Sequence, residues 1–167
     1  MVDVLVAYAT KYGSTRQVAE GITAALREAG ASVSVVPAGT VREPVGRCDL
    51  VVLGGALYSG RWHRDARRFL KRHRRELDGV PVVVFGMGPR DDTEEAWQRS
   101  RSQIDRALAK RSWLNPRAVA VFGGVDPPKR GGAPQRDLRN WQAIHTWATD
   151  TLAIVTGTEQ DRRAPGR

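Results

Sequence analysis

Apolar residues along the chain switch repeatedly between two periods. Val4-Leu5-Val6-Ala7 is a continuous apolar run of buried-strand length, and Val18, Ala19, Ile22, Ala25 and Leu26 follow at the spacing of a helix with one apolar face. Ala29-Gly30 stops that helix, and Val33, Val35 and Val36 predict a second short strand before Pro37. Residues 39–47 read as a loop or a weak helical turn. Residues 49–55 are a near-continuous apolar run ending in two glycines, as a central parallel strand covered on both faces requires. A helix is predicted over 63–76, with Ala66, Phe69 and Leu70 inward, and a fourth strand over 80–86. Asp91, Asp92 and Thr93 offer an N-cap ahead of Glu94 and Glu95, and the helix they start runs to about residue 111 on Ala96, Trp97, Ile104, Ala107 and Leu108. Residues 118–123 predict a fifth strand. Leu138, Trp141, Ile144, Ala148, Leu152 and Val155 mark a last helix.

This alternation predicts an α/β domain, a doubly wound five-stranded parallel sheet with helices on both faces. No internal boundary interrupts it. The domain is expected over residues 1–157, with the proline- and glycine-rich stretch 126–134 as a loop inside it and 158–167 as a disordered tail. A chain of 167 residues is long enough to bury about 70% of its unfolded surface without metal or disulfides. Cys48, the single cysteine, excludes an internal disulfide and reads as a small buried hydrophobe. No apolar run approaches a membrane span and no signal peptide is visible, so a cytoplasmic protein is expected, with peripheral contact to the inner face of the membrane left open.

In such sheets ligands bind outside the carboxyl ends of the strands, which draws attention to three loops. The first is Thr10-Lys11-Tyr12-Gly13-Ser14-Thr15, between a strand and a helix. The unpaired N–H groups of the first helical turn and the helix dipole hold a phosphate there without a metal. Hydroxyls of Thr10, Ser14 and Thr15 add donors, and Gly13 lets the backbone come close. A cap formed by Ser14 or Thr15 is the plainer alternative. Neither G-x-x-x-x-G-K-[ST] nor G-x-G-x-x-G is present, which disfavours a nucleoside triphosphate or a dinucleotide. The second loop contains Ala56, Leu57, Tyr58, Ser59, Gly60 and Trp62, with two aromatic faces. For Trp62, packing within the domain weighs equally with ring contact. The third contains Met87, Gly88 and Pro89. Together they suit a planar heterocycle with a phosphate tail.

Order of elements, the 10–15 loop and the converging loops resemble short-chain flavodoxins over nearly the whole chain. Gly54-Gly55-Ala56, Gly60-Arg61-Trp62-His63 with the basic helix behind it, and Trp141 in the last helix are similar to the flavodoxin-domain group that includes menaquinone-dependent protoporphyrinogen oxidase. The resemblance implies a flavodoxin-like fold with strand order 2-1-3-4-5. It also implies non-covalent FMN, with its phosphate on residues 10–15 and its ring between the second and third loops; a deazaflavin is the alternative cofactor. An FMN-dependent oxidoreductase, protoporphyrinogen/quinone-like, is the function implied, against an electron-transfer flavodoxin as the alternative. Two features depart from the pattern. The stretch 126–136 is short where the oxidase type has a longer apolar and basic insertion, and the net charge is +9, nearly all arginine, where carrier flavodoxins are acidic.

Charge narrows the partners. Arg61, Arg64, Arg67, Arg68, Lys71, Arg72, Arg74 and Arg75 face only Asp65 and Glu76 in the basic helix, and Arg64, Arg68, Arg72 and Arg75 are expected to share a face. That face suits a redox partner, an anionic or quinone-like small molecule, or an anionic membrane surface. Nucleic acid is disfavoured because no recognition motif or interleaved aromatics accompany the charge. His63 lies near the expected ring site, and His73 and His145 have no partners at metal spacing. No catalytic residue and no oligomeric state follow from the sequence.

Overall fold

A computed structural model describes residues 1–58, 61–127, 130–132 and 134–163, with the backbone alone described for residues 130 and 158–163. The elements are β1 (Asp3–Ala9), α1 (Ser14–Glu28), β2 (Ser32–Pro37), a 3-10 turn (Ala38–Thr40), β3 (Leu50–Tyr58), β4 (Arg61–Trp62), α2 (Arg64–Arg72) and α3 (Arg74–Leu77). They continue with β5 (Val82–Met87), α4 (Glu94–Ala109), β6 (Ala118–Phe122), a second 3-10 turn (Arg130–Gly132) and α5 (Trp141–Arg163). The sheet runs β2-β1-β3-β5-β6, all parallel, which is the expected 2-1-3-4-5 order in this numbering. Among the described residues no helix is long and apolar enough to cross a membrane.

Alternation along the strands divides the core in two. Val4, Val6 and Tyr8 of β1 and Phe85 of β5 face α1 and α5, against Val18, Ile22, Leu26, Ile144 and Leu152. Leu5 and Ala7, with Val51, Leu53 and Val84, face α2 and α4, against Ala66, Phe69, Leu70 and Ile104. Each central strand is therefore apolar on both faces, which is why it reads as a run and not as an alternation.

Two expectations are corrected. The sheet carries a sixth strand, because β4 pairs antiparallel with the end of β3 through Leu57–Trp62 and Tyr58–Arg61, where a loop was expected. The helix expected over 63–76 is two helices. His73 turns its ring into the core, only 3% exposed and 4.7 Å from Phe69, and its Nδ1 lies 3.3 Å from Glu76 Oε1. The break ends the regular spacing, so Arg64, Arg68, Arg72 and Arg75 do not form one continuous stripe. The last helix, α5, runs as helical backbone to Arg163. Residues 164–167 lie outside the described residues.

Close packing through the sheet depends on Gly54. A Cβ there would lie 1.9 Å from Phe85 Cζ, and Phe85 is fully buried with no room to yield. Gly54→Ala is expected to destabilise the fold by about 3 kcal/mol, the upper end of overpacking costs. Gly79→Ala, whose Cβ would meet only Glu76 O at 3.9 Å, should change stability by about 0.5 kcal/mol or less. Urea denaturation of both variants checks the contrast.

Candidate cofactor site

The carboxyl ends of β1, β3, β5 and β6 converge on a cavity of about 580 Å³. Lys11, Tyr12, Ser14 and Gln17 form one wall, and Ala56, Leu57 and Tyr58 a second. Met87, Gly88 and Arg90 form a third. Gly124, Val125, Asp126, Pro127, Gln135, Asp137 and Arg139 close it from the fourth side. The third and fourth walls are tied together by Gly88 N–H donating to Phe122 O and Gly124 N–H donating to Pro89 O, both at 2.7 Å. A Cβ on Gly124 would sit 2.7 Å from Gly88 O, so the approach requires glycine.

At the first wall the chain turns from β1 into α1 through Gly13, whose φ of 88° lies in the left-handed region that glycine tolerates. Gly13 N–H donates to Thr10 Oγ1 at 2.9 Å, so Thr10 shapes the turn. No side chain caps α1, and no acidic residue occupies its first turn. The N–H groups of Ser14, Thr15 and Arg16 thus begin the helix without intrahelical acceptors. Thr15 is completely buried, and its hydroxyl has no hydrogen-bond partner among the described residues. An unpaired buried hydroxyl is costly, and a hydroxyl beside three unpaired N–H groups at a positive helix end fits an anionic oxygen.

Of the residues expected in the site, the structure brings Lys11, Tyr12, Ser14, Ala56, Leu57, Tyr58, Met87 and Gly88 together around the cavity. Thr10, Gly13, Thr15 and Pro89 stand behind them as turn, helix start and loop brace. Ser59 and Gly60 lie outside the described residues. Trp62 is elsewhere: it is 1% exposed in the core beneath α2, and its indole N–H donates to Gly55 O at 3.1 Å. The packing alternative holds for it because β4 turns the side chain under the sheet. The fourth wall was missed altogether. It is organised by an antiparallel bridge between Val125 and Asp137 and by Arg139, which grips both carboxylate oxygens of Asp137 at 2.9 and 2.6 Å and also donates to Gln17. The Asp137-x-Arg139 spacing was the one available signal.

Electrostatics around the cavity are mixed. Its cations are Lys11, Arg90 and Arg139, and its carboxylates Asp126 and Asp137. The Arg139 hydrogen bond holds the Asp137 carboxyl below the usual carboxylate range, so it stays charged and Arg139 stays fixed. Burial pushes the Tyr58 hydroxyl up, with Lys11 pulling it back, so Tyr58 presents a neutral, half-exposed ring. His63 caps α2, its Nδ1 accepting from Asp65 N–H at 3.0 Å. Burial holds its pKa below the ordinary 6.5, with Asp65 opposing and Arg64 and Arg67 assisting. A depressed histidine contributes stability that is complete above its unfolded pKa and is lost as pH falls through the folded one. Thermal stability should therefore fall as pH drops below about 6.5. His63→Asn keeps a cap acceptor without a proton to gain, so its melting temperature should be flatter between pH 7 and 5 than that of the parent. Equal slopes would remove His63 as the cause.

The fold has counterparts. The chain is 24% identical over 162 residues to the protoporphyrinogen IX dehydrogenase [quinone] of Escherichia coli strain K12, across 96% of this chain and 90% of that protein. Among solved structures it is similar to a flavodoxin from the domain Archaea, with a TM-score of 0.65 at 14% identity, covering 93% of this chain and 99% of that one. It is similar also to flavodoxin 1 of Bacillus cereus, with a TM-score of 0.61 at 14% identity over 90% and 97% of the two chains. A family model described as flavodoxin domain matches residues 5–131, from β1 through the loop after β6, so the chain belongs to the flavodoxin-domain family.

Proposed function

We propose that this protein is an FMN-dependent oxidoreductase that passes electrons between an organic donor and a quinone-like acceptor. The observation that carries the reading is the uncapped start of α1, with its unpaired Thr15 hydroxyl, opening beside a cavity of the size that holds a small cofactor. FMN fits this donor set because its phosphate needs no metal at a helix start and its ring needs flat, largely uncharged walls. The N–H groups of Ser14, Thr15 and Arg16 and the hydroxyls of Ser14 and Thr15 would hold the phosphate. Ala56, Leu57 and Tyr58 on one side and Met87 and Gly88 on the other would hold the ring. When bound, the flavin supplies the electron-accepting and electron-donating chemistry that the side chains lack.

The chain's own part is positioning and charge. Lys11 and Arg90 bring positive charge to the cavity lining, and a positive charge near the ring would favour negative charge developing on it. Arg139, fixed by Asp137 and Gln17, braces the fourth wall against α1. The name of the E. coli relative gives protoporphyrinogen IX and a quinone. In this chain the two ends of the stretch that faces the cavity are tied together. Gln135 Nε2 donates to Asp126 O at 2.9 Å and Arg136 N–H to Asp126 Oδ2 at 3.2 Å. A smaller donor than a tetrapyrrole suits that wall.

Mass spectrometry of ligand released from the native protein should give FMN. A deazaflavin mass would replace the cofactor, and a ligand-free protein that also refuses added FMN would remove the reading. Ser14→Ala/Thr15→Ala should weaken FMN at least about tenfold, since each charge-assisted hydrogen bond is worth roughly 1.5–3 kcal/mol, and should leave riboflavin nearly unchanged. Equal loss of both ligands would mean that the hydroxyls serve folding.

A further inference from the structure

A second concavity, of about 560 Å³, lies between α2 and the end of α4. From α2 and α3 it is lined by Arg64, Arg67, Arg68, Lys71 and Arg74, and from the other side by Lys110, Arg111 and Trp113. No carboxylate lines it among the described residues. Asp65, which approaches Arg64 at 3.8 Å, is not part of the lining.

The floor is built to hold positive charge in place. Arg67 and Arg111 are half-buried, and each is pinned by a backbone carbonyl, Arg67 Nε to Trp62 O at 3.1 Å and Arg111 Nη1 to Ala107 O at 2.7 Å. Arg74 lies over the Trp113 ring at 5.3 Å and closes one end. Arg68 and Lys71 on the rim have no hydrogen bond or ion pair among the described residues. Like charges held this close repel one another, and burial of two of them adds desolvation cost; the attraction of a bound polyanion offsets both.

We infer that this groove docks an acidic segment of a partner protein. From Arg64 to Lys71, within α2, the cations follow one another for about 10 Å, at roughly 1.5 Å per residue, and Arg74 continues them beyond the break at His73, a length matching a few residues of extended acidic chain. Five of the seven cations are arginines, whose planar forks grip carboxylates in pairs. A membrane is the poorer fit. The groove is concave where a bilayer is flat, and the exposed Tyr12, Tyr58, Val119 and Trp141, which would add apolar insertion to the charge, are not part of its lining. A nucleic acid finds no open aromatic face, because Trp113 is already covered by Arg74. The groove starts two residues after Trp62, whose strand β4 pairs with the cavity wall at Leu57 and Tyr58, so a docked partner reaches the vicinity of the cavity. That the partner exchanges electrons rests on the flavin reading; that the groove binds acidic chain does not.

The test is fluorescence anisotropy of a deca-glutamate peptide carrying an uncharged dye, titrated with the full chain from 50 to 300 mM NaCl. Binding should weaken steeply with salt, and Arg68→Glu/Lys71→Glu should weaken it at least tenfold at 50 mM. Arg47→Glu/Arg99→Glu reverses two charges outside the groove and should weaken it less than threefold. The proposal is overturned if both variants lose affinity equally. It is overturned too if phosphatidylserine vesicles or a single-stranded decanucleotide bind more tightly than the peptide in a manner that Arg68→Glu/Lys71→Glu abolishes. An FMN titration of the same samples keeps the two readings separate: absence of FMN uptake counts against the flavin alone, and peptide binding decides the groove.

Discussion

Backbone N–H groups at the start of α1 have no acceptor within the helix, and the surrounding chain is arranged to leave them so. Gly13 takes a left-handed turn that no other residue takes without strain, Thr10 spends its hydroxyl on Gly13, and no side chain caps the helix. A helix of this length needs support at its N-terminus only if stability is the sole demand. Burial of Val18, Ile22 and Leu26 against β1 and α5 supplies the stability instead. The turn at the end of β1 is then free to serve an anion.

Charge is segregated by the same topology. Helices α1 and α5 cover one face of the sheet, and α2 and α4 the other, and the arginine excess falls on the second. The cavity at the sheet's carboxyl edge mixes signs and fixes its arginine with Asp137, while the groove between α2 and α4 keeps a single sign. A mixed cavity holds a cofactor with one charged end. A groove of one sign steers something larger, over about 10 Å at 0.1 M salt.

Much of this was legible in the sequence because a doubly wound sheet writes itself as apolar runs separated by amphipathic helices. The two-faced burial of residues 50–53 and the Thr93 cap of α4 followed from local pattern alone, and the strand order from the resemblance to flavodoxins. Three features did not. The β3–β4 hairpin needed Leu57, Tyr58, Arg61 and Trp62 to be read as paired around two residues, and the charged Arg61 hid the alternation. The break at His73 is tertiary, since an imidazole drawn toward Phe69 and Glu76 overrides a sequence of good helix formers. The fourth cavity wall is built by Gly124 to Pro127 with Gln135, Asp137 and Arg139, which carry no periodicity, and only the spatial return of Arg139 to Gln17 makes them part of the site.

Amide chemical shifts of the 15N-labelled apoprotein, followed during titration with FMN and separately with riboflavin, test the central claim most directly. The account predicts large shifts at Ser14, Thr15 and Arg16 with FMN that riboflavin does not reproduce, together with shifts at Tyr58 and Gly88 that both ligands share. Shifts at Ser14 to Arg16 that are absent with FMN, or identical with the two ligands, would contradict it.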